Sequence, residues 1–138
     1  MATWQLELQP PPREPRALEL WLQHAAGRIL LEDVRAYAVE KLDKKLTAKA
    51  RAVAEQAIDD ALYGVMMVLD GVTGAISNAE QQVELSVQVK LIQKSNRQVI
   101  AQQDIMAGDE MCMGYHGWLE GDYGEIPVAK YKLEAGAE

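Results

Sequence analysis

The chain has 138 residues, 49% of them hydrophobic and 25% charged, with no Phe and a formal net charge of -7. That is the size of one ordinary domain with a real core, and it argues against a disordered chain. The acidic balance disfavours direct nucleic-acid binding, because a negative surface repels phosphates and the lysines and arginines form no basic stripe.

Trp4, Leu6 and Leu8 alternate with Gln5 and Glu7, the period of a half-buried strand. Pro10, Pro11 and Pro12 end it, and residues 9–15 read as a stiff proline-rich connector. From Arg16 the period changes. Leu18, Trp21 and Leu22 recur at helical spacing, with Gly27 as the expected terminator. A second helix is expected over residues 28–45, with Leu30, Leu31, Val34, Tyr37, Ala38 and Leu42 as its apolar set. The third helix should start after Thr47, an N-cap residue, and run to Leu69. Ala50, Ala54, Ala57, Ala61 and Gly64 make a stripe of small side chains along it, where another element can approach closely. Ile58, Leu62, Val65, Met66 and Leu69 form a bulkier stripe beside that one.

Gly71 and Gly74 break the helix. Val83, Leu85, Val87, Val89 and Leu91 then alternate with polar residues, which predicts one strand with a dry and a wet face. Residues 94–97 form a polar turn, and residues 98–105 return as its hairpin partner. Five glycines between Gly108 and Gly124 predict turns and close backbone approaches around Tyr115, His116, Trp118 and Tyr123. A last strand is expected within residues 126–133, and residues 134–138 as a frayed tail. The expected fold is α+β in a single domain, with the N-terminal helices packed on one face of a small antiparallel β-sheet. The third helix is expected to lie across the apolar face of residues 83–91.

Cys112 is the only cysteine, so no disulfide can form within the chain, which fits a reducing compartment. The first residues carry neither a basic stretch nor an apolar one, and the longest apolar run is too short for a bilayer. The expectation is a cytoplasmic protein with no membrane or nucleic-acid partner. No phosphate loop, dinucleotide fingerprint or nucleophile elbow is present, and no cofactor or metal is implied. A zinc site would want more His or Cys than the chain holds.

The segment richest in chemistry combines Asp109, Glu110, Tyr115, His116, Trp118, Glu120, Asp122 and Tyr123. Tyr and Trp anchor interface centres, and a rim of carboxylates suits a basic partner. The same aromatics can instead plug the end of the sheet. His116 beside Asp109, Glu110, Glu120 or Asp122 could alternatively form a general-base pair. Cys112, between two methionines, reads as a small buried hydrophobe. Asp70 closes a helix whose dipole it opposes, so it needs a compensating partner such as an arginine or backbone amides. Asp59 and Asp60 are adjacent on the third helix, and one of them must point away from the core.

The run from Asp60 to Gly71, the alternating strand, and Gly114-Tyr115-His116-Gly117-Trp118 resemble small bacterial proteins similar to the immunity partners of secreted antibacterial toxins. The resemblance spans residues 60–122 and omits the N-terminal helices. It implies a non-enzymatic cytoplasmic inhibitor that binds a toxin domain directly, and it transfers no functional residue. A small enzyme or ligand-binding domain centred on His116 is the second reading. A homo-oligomeric structural subunit, assembled through the small-residue helix face, is the third.

Overall fold

A computed structural model describes residues 2–108 and 111–132. The chain is α+β, as its periodicities require. The β part is three separate two-stranded antiparallel ladders. Leu6–Leu8 (β1) follows a short 3-10 turn at Thr3–Gln5 and pairs with Ala129–Tyr131 (β6), joining the two ends of the described chain. Ile76–Ser77 (β2) pairs with Gln82–Val83 (β3), and Gln88–Ile92 (β4) with Val99–Asp104 (β5).

The first helix, Pro15–Leu30 (α1), begins at the last residue of the expected connector, one residue before Arg16. Pro15 occupies the first helical turn, where its missing N–H costs nothing. Glu14 caps it by accepting the N–H groups of Arg16 and Ala17 at 3.0 and 2.7 Å. Those two bonds hold the Glu14 carboxyl below its ordinary pKa.

Gly27 does not terminate this helix. The helical run continues through a π-helical segment, Leu31–Arg35, into Ala36–Glu40 (α2). The reason is packing: a Cβ on Gly27 would lie 2.5 Å from ring carbons of Trp118. Gly27 lets a tryptophan sit against the helix backbone, and that close approach outweighs its low helix propensity. The second helix is correspondingly short, ending at Glu40 rather than Lys45.

Ala48–Leu69 (α3) is capped by Thr47, whose hydroxyl accepts the Ala50 N–H at 3.1 Å. Leu62, Met66 and Leu69 point into the core, one helical turn apart. The fourth helix, Met111–Leu119 (α4), replaces the turns expected in the glycine-rich segment.

Packing is divided between two adjoining cores. Trp21 and Leu22 of α1 close on Val128, with Val89, Leu91 and Ala101 of β4 and β5 against them. Leu62, Met66 and Leu69 of α3 meet Met111, Tyr115 and Trp118 of α4, together with Ala26, Leu31 and Ile105. The helix lying on β4 and β5 is therefore α1, where α3 was expected. The small side chains of α3 are left largely uncovered by the described residues, while Leu62, Met66 and Leu69 of its bulky stripe pack against α4. No described helix is long and apolar enough to cross a membrane.

Candidate functional site

The segment singled out in the sequence becomes a helix with two unlike faces. Met111, Tyr115 and Trp118 recur at spacings of four and three, so all three point inward. Tyr115 and Trp118 are each 2% exposed, which removes both from any surface patch. This corrects the expectation of an aromatic interface centre. Trp118 lies between Gly27 of α1 and Gly114 of its own helix, since a Cβ at either would come within 2.5 Å of the ring. Its indole N–H donates to His24 Nδ1 at 3.0 Å, so the buried polar atom is satisfied. Tyr115 donates its hydroxyl proton to the Asp59 carbonyl at 2.9 Å. Burial, followed by the nearby Asp59 charge, pushes its phenol up to about 12.

Tyr123 is half-buried rather than offered to a partner. The Arg28 guanidinium lies 4.6 Å from its ring centre and 5.5 Å from that of Tyr131. Arg28 is also 3.2 Å from Glu32, although its Nε–H points away and forms no hydrogen bond there. Burial raises the Tyr123 pKa, and the adjacent Arg28 opposes that rise.

His116, Glu120 and Asp122 do remain exposed. Asp109 and Glu110 lie outside the described residues. His116 makes no hydrogen bond to Glu120 or Asp122, so the described geometry does not assemble the general-base pair considered for it. Its ring instead sits 5.8 Å from Tyr63 and 6.3 Å from Tyr115. These rings, with Gln56, Asp59 and Asp60, line a shallow depression of about 290 Å³. Asp59 is committed to Arg35 at 2.6 Å, and the hydrogen bond raises the Arg35 pKa. Asp60 points to solvent and accepts from Gln56 at 2.8 Å. Among the described residues no three His, Cys, Asp or Glu side chains converge as a metal site would require.

Asp70 meets backbone amides, one of the two partner types expected for it. Its two oxygens accept the N–H groups of Met111 and Cys112 at 2.7 and 2.9 Å. The residue that follows α3 thus caps α4, and the α4 dipole compensates the carboxylate. Cys112 packs beside the core as a small apolar side chain.

The exposed apolar surface lies elsewhere. The uncovered side of α3 carries Ala50, Val53, Ala57, Ala61 and Gly64, with Val65 at its margin beside the buried Leu62 and Leu69. Val53 is 66% exposed, and a Cβ on Gly64 would meet nothing within 4 Å. Past the helix end, Val72, Ile76, Val83 and Leu85 are all more than half exposed. Between them and Val68 runs an open groove of about 640 Å³, floored by Gly71 and Met106. The stripe of small residues pointed to one end of this surface, while the hairpin end was hidden inside an apparently half-buried strand.

No protein-family model matches the chain, and no curated protein or solved structure is significantly similar to it.

Proposed function

We propose that the chain is a protein-binding module that works by occupying a partner rather than by chemistry of its own. One observation carries this reading: beside its buried stripe α3 bears a second apolar stripe, Ala50, Val53, Ala57, Ala61 and Val65, that the described residues leave exposed. An uncovered apolar face that continues past the helix end into an exposed hairpin is the ordinary mark of an interaction surface. Asp60 and the exposed His116, Glu120 and Asp122 lie on the α3–α4 side of the molecule and supply a polar, mostly acidic surround. With a net charge of -7, the favoured partner is basic, because complementary fields steer encounter. The resemblance to immunity-type proteins supplies the specific form of the proposal, an inhibitor that neutralises a bacterial toxin by direct binding. Nothing in the described geometry favours the reading centred on His116.

Tagged full-length chain is expected to retain a stoichiometric basic protein from its native lysate. The double variant Val53→Asp/Val65→Asp should lose that protein while melting like the wild type, since both positions are exposed. The inhibitor form adds that the captured partner is toxic when expressed alone and harmless beside the wild-type chain. Equal retention by the variant, or no stoichiometric partner, would overturn the reading.

A further inference from the structure

The segment from Gln82 to Leu91 alternates like one strand, yet only its two ends are paired. β3 meets β2, and β4 meets β5, while Glu84, Leu85 and Ser86 make no backbone hydrogen bond among the described residues. The direction of the existing bonds shows which edge is free. Asn78 N–H donates to the Gln81 carbonyl at 2.9 Å, so the alternation of an antiparallel ladder makes Ile76 and Val83 the next bonded pair. Val87 accepts from Ile105 N–H at 3.0 Å, so Val87 faces β5. The odd-numbered residues therefore use the edge occupied by β2 and β5. Gln82, Gln88 and Lys90 direct their N–H and C=O groups to the opposite edge, and residues 84–87, which contain no turn or bend, carry the alternation between them through Glu84 and Ser86. Among the described residues neither ladder has a strand there.

An open edge invites another strand, and this edge fits itself. Antiparallel pairing about a two-fold axis at Val87 sets Leu85 opposite Val89 of a second copy and Ser86 opposite Gln88. It also sets Glu84 opposite Lys90, twice over, because the two-fold repeats the pair. Both charges are exposed and neither has an ion pair among the described residues. The apolar side chains fall on one face. Leu85, 66% exposed in one chain, is carried next to the half-buried Val89 that α1 covers in the other. We infer that the chain forms a two-fold dimer in which residues 82–91 of two copies pair antiparallel, making a continuous β5–β4–β4–β5 sheet. Both readings use the exposed hairpin around Leu85, but the partner test rests on Val53 and Val65 of α3 and the dimer test on Glu84 and Lys90, so their failures are distinguishable.

The test is sedimentation of the full-length chain from about 1 μM to about 500 μM. Salt near physiological strength, with a screening length of about 8 Å, damps the long-range repulsion of two acidic chains but not a contact pair. The wild type should dimerise reversibly. Glu84→Lys alone, or Lys90→Glu alone, places like charges opposite at both symmetric sites and should raise the dissociation constant about 100-fold, roughly tenfold per pair. The two single variants mixed together should form a heterodimer, because each then meets its complement. Glu84→Lys/Lys90→Glu in one chain should restore the homodimer. A wild type that stays monomeric throughout overturns the inference. So does a dimer indifferent to both reversals, which would belong to another face such as the α3 stripe.

Discussion

Two stretches of similar length, residues 111–119 and 82–91, exchange the roles their compositions suggest. The first is rich in glycine and aromatics and reads as a surface segment, yet its Met111, Tyr115 and Trp118 are at most 2% exposed. The second alternates like a half-buried strand, yet Val83 and Leu85 stand 69% and 66% exposed. The difference shows what each pattern encodes. Glycine near an aromatic residue can mean that a ring needs room against a backbone, as Trp118 does between Gly27 and Gly114. Alternation states which side chains want cover, without saying that the same chain supplies it.

The contrast is sharpest at Trp118. Trp118→Ala should destabilise the chain by about 3–5 kcal/mol, since it empties the space between α1 and α4 and removes the indole N–H that donates to His24. Urea denaturation measures this, and a loss below about 1 kcal/mol would contradict the packing described. A second probe of the same core is alkaline titration. The folded Tyr115 pKa of about 12 lies above the ordinary 10.0, so the protonated phenol favours the fold. That contribution is complete below pH 10.0 and disappears as pH rises through about 12. In ultraviolet titration Tyr115 should ionise late, together with unfolding, as should the raised Tyr123, and Tyr115→Phe should shrink that late phase by one tyrosine. The smallest effect is expected in the other stretch: Leu85→Ser should leave the monomer within about 0.5 kcal/mol of the wild type. A loss of several kcal/mol would mean that Leu85 is covered by its own chain.

Much of the framework is legible in the sequence. Thr47 and the long apolar period announce α3, and the alternation of Val89 and Leu91 announces β4, because both signals are local. Cap and period lie within the same few residues. What escapes is non-local. No residue near α4 shows that Asp70 will cap it, and Gly114 and Gly117 lower its propensity, so the segment looks like turns. Gly27 reads as a terminator because the ring that needs the space lies far along the chain. The position of α1 over β4 and β5 depends on which helix has large side chains left to bury, and α3 spends its own on α4. Of the site residues proposed from sequence, His116, Glu120 and Asp122 are accessible, while Tyr115 and Trp118 are structural.

Asp70 has a consequence for the order of events in folding. Its bonds to Met111 and Cys112 span 41 and 42 positions of chain. Helix α4 is short and glycine-containing, so it has little tendency to form alone. It gains its N-terminal cap only after Asp70 and the start of α4 have been brought together, and Asp70→Ala should cost about 0.5–2 kcal/mol by leaving those two N–H groups uncapped.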